Sequence, residues 1–173
     1  ALERTLFRLK ESGIEFLYLP IHGASVVEIE RICRALNYDP EVMLSDGVLS
    51  RIILDFDSDL SLVEGMMATD VYSSVVLTKG YGDRLLRTFD SSFSSPKTTY
   101  TALGAEGMSI LLGAMDRCGD SGDTECINGK LHSTNGFLGI NSKITINTDG
   151  KAERPIFINR IVDGKLEFKV MVY

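Results

Sequence analysis

The chain has 173 residues, of which 44% are hydrophobic, and its formal net charge is −6. This length fits one domain or two small lobes, and the apolar content is sufficient for a packed core. The acidic balance argues against nucleic-acid binding, which needs clustered lysine and arginine. No apolar run approaches the roughly 20 residues of a membrane-spanning helix. No signal peptide is recognisable, but residue 1 lies within a predicted helix, so we expect a longer full-length protein.

The first part of the chain alternates predicted helices with predicted strands. Leu2, Leu6 and Leu9 recur at helical spacing, and Ser12-Gly13 ends the pattern. Residues 14–19 are almost continuously apolar, which predicts a strand buried on both faces, as in a parallel sheet. A helix through residues 26–36, a strand at 42–44, a helix at 48–56 and a strand at 65–71 follow. The alternation predicts a parallel sheet with right-handed crossovers.

The middle of the chain is predicted to be helical and the tail to be β-rich. Helices are expected at residues 81–93 and 99–117, and a short one is expected after the N-cap Asp123. From Phe137 the hydrophobic period becomes two, with a hairpin turn at Asp163-Gly164 between the last two strands. A helical block between sheet segments predicts a chain that leaves one lobe, visits another and returns, creating a cleft for a small molecule.

The three cysteines predict one buried thiol and one disulfide. Cys33 lies on the apolar face of a predicted helix, so we interpret it as inert. Cys118 and Cys126 flank a polar loop with two glycines, a pattern that favours a disulfide over two free thiols and hence an oxidising compartment. The spacing is not CxxC and no second pair is nearby, which argues against zinc.

Asp46 is the most informative polar residue, because Ser45-Asp46-Gly47 follows the second predicted strand directly. Ligands of open α/β sheets bind at the carboxyl ends of the strands. Asp46 therefore either takes the ammonium group of a small molecule or caps the helix that follows. His22 follows the first strand, so it either shares this edge with Asp46 or is a surface loop residue. Gly23 and Gly47 complete the candidate site, since backbone N–H groups point outward at a helix start.

The sequence contains none of the common motifs of catalytic, metal-binding or nucleotide-binding sites. It contains no GxSxG, P-loop or HExxH sequence, and no GxGxxG follows a strand. We therefore expect no catalytic residues, no cofactor and no metal, and hence no enzyme. The acidic run at residues 55–59 lacks EF-hand spacing and is interpreted as a solvated turn. His132 is interpreted as a surface residue.

Three stretches, taken in order, resemble type 1 periplasmic binding proteins of the leucine/isoleucine/valine-binding branch, the substrate-binding proteins of branched-chain amino acid ABC transporters. Residues 9–18 (LKESGIEFLY) resemble the family's passage from helix to strand. Residues 45–47 (SDG) with 63–66 (VEGM) resemble its G-(D/E)-G…AEG segment. Residues 136–139 (GFLG), 144–150 (ITINTDG) and 160–165 (RIVDGK) resemble its tail. Each motif is weak alone, but together they cover nearly the whole chain.

The resemblance implies an α/β fold with Rossmann-like parallel sheets in two hinged lobes, of which this chain holds only the second half. Residues 1–72 and 154–173 would belong to the second lobe and residues 73–150 to the first. It also implies an extracytoplasmic location and a closed, ligand-bound form that docks on an ABC permease. A sensor of the same fold is the alternative. A half fold is further expected to expose sheet edge and apolar surface, which favours self-association.

The resemblance also implies roles for individual residues. Asp46 matches the acidic residue that binds the ligand's α-ammonium group, and His22 matches an often aromatic position that packs on the ligand. Ala105, in the segment GAEG, stands where the family often has an aromatic residue. This departure predicts a roomier or differently shaped pocket than that of a leucine-binding protein.

Overall fold

The structure is a computed structural model that describes residues 1–21, 23–55, 59–94 and 97–173. The described chain divides into two compact units. Unit 1 comprises residues 1–70 and 157–172, and unit 2 comprises residues 71–156 with Tyr173. The assignment of these units to the second and first lobes of a binding-protein fold remains a prediction.

The order of elements follows the predicted order closely. Unit 1 begins with α1 (Leu2–Glu11), β1 (Phe16–Leu19), α2 (Gly23–Ala35), β2 (Glu41–Leu44), α3 (Val48–Asp55), a 3-10 helix (Leu60–Val63) and β3 (Met67–Asp70). Unit 2 contains α4 (Tyr81–Ser92), α5 (Thr99–Cys118), α6 (Thr124–His132), β4 (Phe137–Leu138), β5 (Lys143–Ile146) and β6 (Ala152–Glu153). The chain ends with β7 (Ile156–Val162) and β8 (Lys165–Val172).

Unit 1 is built on a five-stranded sheet in the order β1-β2-β3-β7-β8. β1, β2 and β3 pair in parallel, as predicted, whereas β7 runs antiparallel to β3, so the sheet is mixed. The hairpin turn between β7 and β8 is confirmed, with positive φ at both Asp163 and Gly164. The Glu64 carboxylate holds this turn by accepting hydrogen bonds from the backbone N–H groups of both residues, at 2.8 and 2.9 Å.

The core of unit 1 lies between its helices and one face of the sheet. Leu6 of α1, Val26 of α2 and Ile52 of α3 pack in one cluster with the strand residues Leu17 and Leu44, among others. Cys33 belongs to this cluster as a free, buried thiol, which confirms the prediction. Burial raises the pKa of the Cys33 thiol, and the nearby charge of Glu30 adds to this effect.

The prediction that the first strand is buried on both faces is wrong. β1 is an edge strand, in which Leu17 is buried while Phe16 and Tyr18 are 48% and 54% exposed. Its apolar sequence would suit a strand covered on both sides, but the described helices of unit 1 pack only against the side of Leu17.

The described part of unit 2 contains three helices and a small antiparallel sheet in the order β4-β5-β6, and α5 contacts α6. The predicted disulfide is present between Cys118 and Cys126, whose Cα atoms are 6.0 Å apart. It joins the last residue of α5 to the first turn of α6. The predicted N-cap is also present, because the Asp123 side chain accepts a hydrogen bond from the N–H of Cys126 at 2.9 Å.

A buried ion pair lies inside unit 2. Arg154 donates to a carboxylate oxygen of Glu106 at 2.7 Å, and the other carboxylate oxygen accepts from the N–H of Ile140 at 2.6 Å. Arg154 also donates to the carbonyl of Val71 at 3.0 Å. The Glu106 carboxylate therefore connects α5 to Ile140 and to Arg154, two residues that are distant from it in the sequence.

Helix length and polarity bear on membrane insertion. No helix in the described part of the chain is both long enough and apolar enough to cross a membrane.

Candidate functional site

The candidate site lies at the carboxyl edge of the parallel strands in unit 1. β1 and β2 are in register, with Leu19 paired to Leu44, so both strands end at the same level. The segments that follow them, which begin at residues 20 and 45, therefore emerge at the same edge. His22 lies outside the described residues, so its predicted position beside Asp46 stays a prediction.

Asp46 occupies an exposed turn between β2 and α3. The first helical residue of α3 is Val48, so the residue directly before the helix is Gly47 and not Asp46. The alternative in which Asp46 caps the helix therefore does not describe this turn. Within the described residues, no hydrogen bond or ion pair engages the Asp46 carboxylate. Its oxygens are available to a cationic or hydrogen-bond-donating ligand.

The two glycines of the candidate site have structural reasons to be glycine. Gly47 has a φ of 75°, a conformation that few other residues adopt, and its carbonyl accepts the hydrogen bond of Arg51 in the first turn of α3. Gly23 is buried at the start of α2, where a Cβ atom would meet Ile52 Cγ1 at 3.0 Å and Ile52 N at 3.2 Å. Two helices thus begin side by side at this edge, each with partial positive charge at its N-terminus.

Asp70 is a further polar residue at this edge that the sequence reasoning missed. It is the last residue of β3, two positions beyond Ala68, which pairs with Leu44 of β2. Its side chain is buried, at 3% exposure. Thr69 reaches back to β2 by donating its hydroxyl to the Leu44 carbonyl at 3.2 Å. In the sequence, Thr69 and Asp70 resembled strand interior, and only the register of β2 and β3 places them beside Asp46.

The arrangement suits recognition of a small molecule that carries both a positive and a negative charge, or that has several polar groups. Asp46 offers a carboxylate to an ammonium group, and the starts of α2 and α3 favour negative or hydrogen-bond-accepting groups. Charge-assisted hydrogen bonds of this type are about twice as strong as neutral ones. Nothing in the arrangement requires covalent chemistry.

Ala105, the residue predicted to enlarge the pocket, lies on α5 in unit 2. It borders an apolar cavity of about 200 Å³, together with Leu85, Phe89, Ala102 and Ile140. The side chain is small and leaves space beside it, as the departure from the family pattern suggests. A contact between Ala105 and a ligand stays a prediction.

Comparison with known proteins identifies solved structures that share this fold. No protein-family model and no curated protein sequence matches the chain. Among solved structures, leucine-binding protein LivK of Thermotoga maritima matches with a TM-score of 0.85 at 20% identity, over 99% of this chain and 48% of that chain. A branched-chain amino acid ABC transporter periplasmic ligand-binding protein of Burkholderia xenovorans LB400 matches with a TM-score of 0.81 at 16% identity, over 99% of this chain and 47% of that chain. The branched-chain amino acid transporter substrate-binding protein LivJ of Streptococcus pneumoniae, in complex with isoleucine, matches with a TM-score of 0.79 at 15% identity, over 98% of this chain and 47% of that chain.

These matches settle the fold class and its extent. Almost the whole chain aligns, yet it spans about half the length of each matched structure. By their names, one is a leucine-binding protein, and the other two are substrate- or ligand-binding proteins of branched-chain amino acid transporters. This protein therefore has the α/β fold of one half of a type 1 periplasmic binding protein, of the kind found in substrate-binding proteins of branched-chain amino acid ABC transporters.

Proposed function

We propose that the chain is part of an extracytoplasmic solute-binding subunit of an ABC importer, and that it binds an amino acid or a related small polar molecule without chemical turnover. The observation that carries this proposal is the Asp46 carboxylate, exposed and unengaged by other described residues, at the carboxyl edge of a sheet with this fold. The names of the matched structures support the ligand class, since they include a leucine-binding protein and an isoleucine complex.

In this proposal Asp46 binds the α-ammonium group of the ligand. His22 packs on the ligand, and Gly23 and Gly47 let the backbone approach it closely. Closing the two lobes over the ligand removes water from the contact, which strengthens the ammonium–carboxylate attraction. The groups that would bind the α-carboxylate are assigned to the half of the fold that has no counterpart in these 173 residues.

The proposed partner is an ABC permease, and the proposed location is the periplasm or its extracytoplasmic equivalent. The Cys118–Cys126 disulfide supports this location, because disulfides persist in oxidising compartments. A ligand sensor of the same fold is the alternative. A transport subunit predicts neighbouring permease genes, whereas a sensor predicts a signalling domain in the same chain or next to it.

The test is calorimetry on the full-length protein with leucine, isoleucine and valine, after native mass spectrometry has identified any co-purified molecule. Replacing Asp46 with alanine removes a charge-assisted contact and should weaken binding by at least about 2 kcal/mol, roughly a 30-fold rise in Kd. The matched control is Asp39→Ala, because Asp39 is also an exposed carboxylate but precedes β2, at the opposite edge of the sheet. Unchanged affinity in Asp46→Ala would refute the assignment.

The second readout is affinity of the 173-residue chain itself. It supplies one wall of the proposed site, so we expect it to bind these amino acids much more weakly than the full-length protein does. Native-like affinity in the short chain would contradict a ligand held between two halves of the fold.

A further inference from the structure

The chain passes between the two units twice, and both connections start from the same place in unit 1. Asp70 is the last residue of unit 1 before the first connection, and Phe157 is the first residue of unit 1 after the second. These two residues also form the last described pair of the antiparallel ladder between β3 and β7. The two connections therefore leave unit 1 side by side.

In unit 2, the Arg154 side chain joins the two connections. Arg154 shortly precedes Phe157 in the second connection, and Val71 is the first residue of unit 2 in the first connection. The Arg154 guanidinium donates to the Val71 carbonyl at 3.0 Å. The Arg154 side chain is 8% exposed, so water competes little for this hydrogen bond. A side-chain contact thus continues the link between the connections beyond the last ladder pair.

Further hydrogen bonds fix this link to the body of unit 2. Glu106 of α5 accepts from Arg154 with one carboxylate oxygen and from the Ile140 N–H with the other. The next residue, Asn141, donates its side-chain amide to the Ser73 carbonyl at 2.6 Å. The side-chain oxygen of Asn141 accepts from the Ser73 N–H at 3.3 Å. Ser73 lies in the first connection, so these contacts lead back to the segment at which they began.

We call this closed ring of contacts the crossing cluster; it comprises Val71, Ser73, Glu106, Ile140, Asn141 and Arg154. Ser73, Glu106 and Asn141 are each no more than 5% exposed. A hydrogen bond that is lost in such surroundings leaves a buried polar group without a partner, which is costly. Other arrangements of the two connections on unit 2 are therefore disfavoured.

We propose that Arg154 is a positioning residue for the closing of the two lobes, because it makes the two connections move as one. Segments that are joined at both ends of a short stretch can bend together but cannot slide past each other. The stretch between the Asp70–Phe157 pair and the Arg154–Val71 hydrogen bond would then be the hinge, since hinges are a few residues at the ends of elements. This inference rests on the proposed function, in which closing lobes hold the ligand.

The test measures the distance between the two units in the full-length, ligand-free protein by pulsed electron paramagnetic resonance. Spin labels are attached through a non-natural amino acid at Arg4 of α1 and Arg87 of α4, two exposed positions in units 1 and 2, so that no cysteine is labelled. The double variant Glu106→Gln/Arg154→Met removes the contact between the connections without burying a charge. It should broaden the distance distribution about twofold, because the connections then move independently.

Glu106→Gln alone is the matched control, because it keeps the Arg154–Val71 hydrogen bond and removes only the counter-charge. It should unfold at a lower urea concentration than the double variant, since it buries an unpaired cation. It should nevertheless keep the narrow distance distribution of the natural protein. The less stable variant is thus expected to have the better defined hinge, a result that a purely stabilising role of the crossing cluster does not produce.

A double variant with the distance distribution of the natural protein would overturn the proposal. Equal broadening in Glu106→Gln and in the double variant would overturn it too, because the width would then follow stability and not the Arg154–Val71 contact. The measurement needs no ligand, so its failure differs from that of the proposed function. That failure would appear as unchanged ligand affinity in Asp46→Ala.

Discussion

The buried pair of Glu106 and Arg154 gives the sharpest stability prediction for unit 2. Glu106 is 2% exposed and Arg154 is 8% exposed, measured on their side chains. Replacing Glu106 with glutamine keeps the shape of the side chain and an oxygen that can accept from the Ile140 N–H. The substitution removes the negative charge. The Arg154 guanidinium then faces either the amide NH2 group or the neutral carbonyl oxygen of the glutamine. The variant therefore isolates the cost of an uncompensated buried cation.

The expected loss of stability follows from the Arg154 guanidinium, which stays buried without its counter-charge. Breaking a buried ion pair by removing one partner costs about 3–5 kcal/mol, because the surviving charge has neither water nor a counter-charge. A whole domain is stable by only about 5–15 kcal/mol, so unit 2 should be severely destabilised. Glu106→Ala should cost more, since the Ile140 N–H then also lacks its acceptor, which adds about 1–3 kcal/mol.

The assay combines urea unfolding with hydrogen exchange resolved to single amides. Glu106→Gln should lower the unfolding midpoint, and Glu106→Ala should in addition speed exchange at the Ile140 amide. The double variant Glu106→Gln/Arg154→Met should recover most of the loss, because it buries no charge. Glu125→Gln, an exposed acid on α6, should change stability by less than about 0.5 kcal/mol. An unaltered midpoint in Glu106→Gln, or a double variant no better than the single, would refute the reasoning.

Three further predictions concern the disulfide, the glycines and the free thiol. Replacing both Cys118 and Cys126 with serine should cost about 2–3 kcal/mol, because the bond closes a short loop and restricts the unfolded chain; an unchanged urea midpoint would contradict this. Gly82→Ala should cost about 1–3 kcal/mol, since its Cβ atom would collide with the Ile140 carbonyl. The control Gly104→Ala, in open space on α5, should stabilise by up to about 1 kcal/mol. With its pKa raised by burial, Cys33 should react with a thiol reagent only after denaturation, and reaction in the native chain near neutral pH would contradict this.

Local signals in the sequence predicted most elements of the fold. The Asp163-Gly164 turn was predictable because Asp-Gly adopts the positive φ values that a two-residue hairpin needs. The α6 start was predictable because Asp123 can accept from the helix N–H groups. The two-residue strands β4 and β6 were not predicted individually, since so short a segment carries no period. The antiparallel join of β3 to β7 was not predicted either, because strand order depends on contacts distant in sequence.

The errors in the site region have separate physical causes. The helix-cap alternative for Asp46 failed because the positive φ of Gly47 gives the chain one more turn residue before α3 begins. Asp70 was missed because only the register of β2 and β3 shows that it shares an edge with Asp46. The ion pair of Glu106 and Arg154 joins residues separated by 48 positions, which no local pattern reports.

The wrong prediction for β1 is the most instructive, because its sequence and its surroundings disagree. A strand with a continuous apolar sequence is most stable when both of its faces are buried. The apolar run at residues 14–19 is of this kind. The described residues cover only the Leu17 face, leaving Phe16 and Tyr18 half exposed. Burial of apolar surface contributes about 25 cal/mol per Å², so covering two aromatic side chains offers a substantial driving force for association. The candidate ligand site does not depend on how this face is covered, because Asp46 lies in the turn between β2 and α3 and not on β1.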